Sequence, residues 1–172
     1  MLNGLLAEAQ PLERFDWVVV IDDDIAVPHR FLDAFLCACR LLRFAIAQPA
    51  HLPTSHTAWR LTRRKPVLAR QTAFVEIGPV VAFSKEVVDL FLPFPEVGMG
   101  WGLDAHWAYL IRERGLRAGV IDAVAVRHLN PAAAGYNRHQ AIAAAQAFLA
   151  AHPFLPVSES QRTIAAYRRI PA

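Results

Sequence analysis

The sequence predicts an α/β fold, a mainly parallel or mixed sheet with helices on both faces. Three observations predict it. Phe15 to Ile21 is an apolar run rich in β-branched residues, interrupted only by Asp16, the pattern of a strand covered on both faces. Strand-like stretches alternate along the chain with stretches of helical character, as in sheets whose strands are joined by helices. Finally, 55% of the 172 residues are hydrophobic and 19% are charged, enough apolar material for the core of one domain without covalent staples.

In chain order, Leu2 to Glu13 reads as a short helix ending near Pro11, followed by the apolar strand, which stops at Asp22, Asp23 and Asp24. Pro28 suits the first turn of a helix running to about Arg43, because its missing N–H is not needed there. Phe44 to Pro49 reads as a second strand, and the turn formers between His51 and Pro66 read as a loop. Phe74 to Ser84 is strand-like with a break at Gly78-Pro79, and Lys85 to Phe91 is a short helix with Ser84 as its cap. Leu92 to Trp101 is irregular, and Leu103 to Arg114 is a helix stopped by Gly115. Short strands are expected at Gly119 to Ile121 and Val124 to Arg127, then an alanine-rich helix over Asn137 to Ala151 and a surface helix over Ser158 to Arg169. This divides the chain into a domain over 1–152 and a helical tail over 153–172.

The formal charge of +3 and the isoelectric point near 9.2 fit an anionic small ligand or an acidic surface. There is no long basic run, so nucleic acid is not expected as a partner. The densest basic cluster is Arg60, Arg63, Arg64, Lys65 and Arg70, which also reads as a solvated loop. Cys37 and Cys39 lie two apart in an expected helix and point to different sides, so they are read as unbridged core or half-buried residues. The N-terminus lacks a basic region ahead of its apolar stretch, and no apolar run reaches membrane-spanning length. A cytoplasmic protein is expected, with peripheral association with a membrane left open.

Three constellations carry chemistry. In an extended segment Asp22 and Asp24 share a side and Asp23 faces away. They follow a buried strand, where open α/β sheets place ligands. Adjacent carboxylates repel each other unless a cation compensates, and hard oxygen ligands suit Mg²⁺ or Mn²⁺. The bland alternative is a helix-entry cap. The second constellation runs from Gly98 through Gly100, Trp101, Gly102 and Asp104 to Trp107. Its glycines permit close backbone approach, Trp101 is either a flat face for a sugar ring or plain core, and Asp104 falls in the first turn of a helix, where a carboxylate also acts as a cap. His106 is read as a support for residues that touch the ligand, or as structural. The third is His128, after a short strand, a third metal ligand or a structural histidine.

Taken in order, Asp16 to Asp24, Gly100-Trp101-Gly102-Leu103-Asp104 and His128 resemble the metal-binding aspartates, the glycine-tryptophan-glycine segment and the metal-site histidine of GT-A nucleotide-sugar glycosyltransferases, family-2-like and galactosyltransferase-like members among them. The resemblance covers about Leu2 to His128. It implies a nucleotide-diphospho-sugar transferase fold. It also implies that Asp22, Asp24 and His128 hold Mn²⁺ or Mg²⁺ against the diphosphate of a donor, a UDP-sugar first among the choices. Asp104 would be the base that deprotonates a carbohydrate or other hydroxyl acceptor, Asp23 would touch the ribose or the metal, and Trp101 would pack on a sugar. Glu76, a charge in the apolar stretch around Phe74 to Pro79, is a second candidate for acceptor binding or base, and equally an exposed strand residue.

The chain departs from the family at two points. Leu103 stands where galactosyltransferase-like members carry the first of two acidic residues. The chain also opens at the helix just before the aspartates, whereas the family places its base-binding strands and helices ahead of them. The resemblance thus implies either an upstream nucleotide-binding part missing from this sequence or a reduced, non-catalytic relative that binds carbohydrate or a partner; the aspartates also leave a metal-dependent phosphohydrolase as an alternative.

Overall fold

A computed structural model describes residues 2–131 and 135–170, which include every candidate site residue named above. Helix α1 (Leu2–Glu8) and a 3-10 turn at Leu12–Arg14 precede strand β1 (Trp17–Ile21). The short strand β2 (Ile25–Ala26) and helix α2 (Phe31–Leu41) follow. Strands β3 (Ile46–His51), β4 (Ala69–Thr72) and β5 (Val80–Ser84) lead to helices α3 (Val88–Phe91) and α4 (Leu103–Glu113). The long strand β6 (Ala118–His128), helix α5 (Arg138–Ala151), the single turn α6 (Val157–Ser160) and strand β7 (Thr163–Tyr167) complete the chain.

The protein is α/β, with a mixed sheet in the order β1-β5-β3-β6-β4-β7 and β2 paired to the end of β6. The sheet is not mainly parallel: β3 and β6 are the only parallel neighbours among the described strands, and the other pairings are antiparallel. The apolar run at β1 reports coverage of both faces, and coverage does not determine pairing direction. Val18 and Val20 pack into one core with α1, α3, α4 and α5, while Trp17 and Val19 pack with α2 on the opposite face. The strand is only half-buried because it lies at the edge of the sheet. The same alternation splits β5, whose Val81 and Phe83 enter the first core and whose Val80 and Ala82 enter the second.

Pairing directions bring the ends that carry the candidate site residues together. Both β1 and β3 are antiparallel to β5, so they run the same way, and β6 runs parallel to β3. The carboxyl ends of β1, β3 and β6, which bear the aspartates, His51 and His128, therefore fall at one end of the sheet.

Several elements differ from the sequence-based expectation. Helix α2 starts at Phe31, because Arg30 takes a left-handed φ of 55° and leaves Pro28 outside. Ser84 ends β5 and caps nothing; Val87 stands at the start of α3. The two strands expected around Asp122 are one strand, β6, continuous because the Asp122 carboxylate is paired with Arg70 and does not break to solvent. Arg70 accordingly leaves the basic loop: it is a buried residue of β4, 2.9 Å from Asp122, and also donates to the carbonyls of Leu61 and Arg63. The C-terminal stretch expected as a helical tail forms one turn and then β7, which pairs antiparallel with β4. The open edge of β4 overrides the local helical pattern. Of the two cysteines, Cys39 is buried and Cys37 exposed, and both are free. No described helix is long and apolar enough to cross a membrane.

Candidate metal and active site

The triplet and His128 meet through local backbone pairing. Beyond the end of β1, the Asp22 N–H still donates to the Pro79 carbonyl at 2.9 Å. Its carboxylate lies against Gly78, where a Cβ would come within 3.1 Å of Oδ2. Ile25 of β2 pairs with His128, and Leu129 N–H donates to the Asp24 carbonyl at 3.0 Å. These contacts bring His128 Nε2 within 3.1 Å of Asp24 Oδ1. Asp22, Asp24 and His128 each offer a ligand atom, and these atoms lie within 4.8 Å of one another. Asp23 is exposed and is not one of the trio; it lies with Asp24 in a bend between β1 and β2, so the segment does not stay extended through the triplet. Partial burial raises the Asp22 pKa; His128 opposes the rise, and Asp24 and Asp23 add to it. A carboxylate kept in that surrounding has an electrostatic reason to take a cation.

The glycine-rich segment delivers Asp104. Gly98, Gly100 and Gly102 all have positive φ, and Gly102, at 93°, leads directly into α4. At Gly100 a Cβ would collide with the Ile77 side chain, so glycine there permits the loop to close against the strip that carries Glu76. Asp104 sits in the first turn of α4. Its Oδ1 accepts the Ala105 N–H at 2.9 Å, and its Oδ2 accepts the Trp59 indole N–H at 3.1 Å. Burial pushes the Asp104 pKa from its ordinary 3.8 up to about 6 against these two donors, and the negative charge of Glu76 adds to the rise.

Glu76 is no exposed strand residue. It is buried, and its Oε2 lies 2.9 Å from His51 Nε2. Its Oε1 accepts the Trp59 backbone N–H at 3.1 Å and the Thr57 hydroxyl at 3.3 Å. His51, at the end of β3, is 1% exposed, and its Nδ1 lies 3.0 Å from Ser55 Oγ. Ser55 Oγ in turn accepts the backbone N–H of His128 at 2.9 Å. Asp104 is not a member of the trio around Asp22. The two are joined by a continuous run of polar contacts through Trp59, Glu76, His51, Ser55 and His128.

Trp101 is half-buried, with its indole N–H donated to the Tyr136 hydroxyl at 2.9 Å, so it is not core. His106 Nδ1 lies 2.7 Å from the Pro153 carbonyl, and its ring packs edge-on to Phe148. The residues missed from sequence are His51, Ser55, Thr57 and Trp59. They lie at or beyond the end of β3 in a stretch read as loop, and only an aromatic residue amid polar neighbours marked it. An apolar groove lined by Ile21, Ile25, Val27, Phe31 and Leu32 borders the aspartates.

Comparison with protein-family models finds none that matches this chain, and comparison with curated proteins finds no match either.

Proposed function

We propose that this protein is a metal-dependent glycosyltransferase that moves a sugar from a nucleotide-sugar donor to a hydroxyl acceptor. The observation that carries the reading is the convergence of Asp22, Asp24 and His128 at the strand ends, joined by a polar network to an Asp104 of raised pKa. Two carboxylates and one imidazole within 4.8 Å fit a divalent cation that accepts both oxygen and nitrogen donors, Mn²⁺ in preference to Mg²⁺. In this reading Asp22, Asp24 and His128 hold the cation, which would neutralise charge on the departing nucleoside diphosphate.

The remaining chemistry belongs to the chain. With a pKa of about 6, Asp104 is ionised at neutral pH yet close enough to it to take a proton efficiently, as a general base requires. It would accept the proton of the acceptor hydroxyl as that oxygen bonds to the sugar carbon and the bond to the diphosphate oxygen breaks. Trp101 offers a half-exposed ring to a sugar. A UDP-sugar is the first donor to try.

The test is thermal unfolding with Mn²⁺ alone, uridine diphosphate alone, and both. At about a hundredfold excess over the dissociation constant, a ligand that binds only the folded chain stabilises it by about 2.7 kcal/mol, a rise in Tm of roughly 5–10 °C for a chain of this size. A cooperative rise with both ligands supports the transferase. No rise with either refutes it. A rise with Mn²⁺ alone, together with phosphate release from simple esters, would favour a phosphohydrolase instead.

A further inference from the structure

We infer that Trp59 is the positioning residue of Asp104, and that the buried Glu76–His51 pair exists to hold Trp59 in place. The role in catalysis rests on the transferase reading of Asp104; the arrangement itself does not.

The reasoning starts with what a base at this position needs. Asp104 lies in the first turn of a helix, and one of its oxygens is already committed to the adjacent Ala105 N–H. The second oxygen meets a single protein donor, the Trp59 indole. The orientation of the carboxylate therefore depends on where that ring stands.

Trp59 comes from a segment with little regular structure, just ahead of one 3-10 turn at Arg60–Thr62. Its position is set from two sides. The ring packs edge-on to the buried Phe74, with centroids 5.5 Å apart. The backbone N–H is held by Glu76 Oε1, and Thr57 Oγ1 bridges the two, accepting the same Trp59 N–H while its hydroxyl donates to that Glu76 oxygen. Glu76 is an expensive group to use for such a task, since a buried carboxylate must be fully partnered to be tolerated. Its second oxygen is engaged by His51, and His51 by Ser55, so both oxygens of Glu76 are turned to partners inside the protein. That distribution fits a fastening and not a second base. The Ser55 end of the run also receives the His128 N–H, so the strap carrying Trp59 is tied to the strand end that bears the histidine of the candidate metal site.

The experiment uses the full chain with W59F, E76Q and E76A, and two readouts. The first is the titration of the Asp104 carboxyl followed by carbon NMR without any ligand. W59F deletes the indole donor while a ring remains against Phe74, and is expected to raise the Asp104 midpoint above about 6. E76Q removes the nearby charge and is expected to lower it. An Asp104 midpoint unmoved by W59F overturns the inference, whatever the protein does. The second readout is turnover with Mn²⁺ and a UDP-sugar. W59F is expected to lower kcat by about tenfold to a hundredfold with little change in donor KM, the signature of a misplaced group. E76A should reproduce that loss and E76Q should recover most of it, because an amide oxygen can still accept the Trp59 N–H. Equal loss in E76A and E76Q would overturn the fastening role of Glu76. If the titration behaves as expected but no turnover is found with the unmodified chain, the transferase reading fails and the positioning of Asp104 by Trp59 stands.

Discussion

Replacing Asp104 by Asn should make the folded protein more stable above neutral pH and less stable in mild acid. The folded chain holds the Asp104 proton up to about pH 6, whereas the unfolded chain releases it near 3.8. Between those values the folded state binds more protons than the unfolded state, so stability falls as pH rises through the window. A displacement of about two pH units at about 1.4 kcal/mol each amounts to roughly 3 kcal/mol, all of it lost above about pH 6. The amide variant does not titrate and escapes that loss. It has a cost of its own: one oxygen can serve only one of the two donors, Ala105 N–H and Trp59 Nε1–H, and the unserved bond is worth about 1 kcal/mol. The variant should therefore be about 1 kcal/mol less stable than the parent near pH 4 and about 2 kcal/mol more stable near pH 8. Urea unfolding of both proteins across that range, with chelator present, measures the difference directly. A difference that stays constant from pH 4 to pH 8 would refute the burial argument, and with it the case for Asp104 as a tuned base.

Three further outcomes are expected. Asp24→Ala should abolish the Mn²⁺-dependent rise in Tm while leaving the melting of the metal-free protein within a few degrees, since Asp24 is partly exposed and only its His128 contact is lost; an unchanged Mn²⁺ response would exclude the trio as the cation site. Asp122→Ala leaves the Arg70 guanidinium buried without its carboxylate and should cost about 3–5 kcal/mol in chemical unfolding; a cost under about 1 kcal/mol would mean that the pair is solvated. Gly119→Ala drives a methyl into the Phe44 ring across the β3 and β6 region and should cost about 1–3 kcal/mol, read as a fall in Tm; a neutral result would show that the ring can move.

The place of the aspartates was legible in the sequence because it is local. Three carboxylates following an apolar β-branched run imply a strand end with unbalanced charge, and the structure ends the strand at Ile21, just before them. The glycines before α4 were legible for the same reason, since positive φ and close approach are demands on single residues. Helix α5 was equally plain, with Asn137 accepting from the His139 and Gln140 N–H groups at its start.

Other features depended on partners distant in the chain. Nothing near Glu76 reveals that His51, 25 residues earlier, will partner its carboxylate, so its burial could not be read. Arg70 looked like part of a basic loop because Asp122, 52 residues later, is what lets it be buried. Residues 163–167 carry too weak a pattern to choose their own conformation, and the unpaired edge of β4 chose for them. By itself the sequence determined an α/β chain with helices on two faces, the strand end at the aspartates and the turn before Asp104, all consequences of side-chain alternation and backbone sterics within a few residues. Only the tertiary structure decided the pairing directions, the meeting of Asp24 with His128 and the run of contacts from His128 to Asp104. Burial of charge and strand pairing are bargains between segments far apart, and neither partner's sequence records the other.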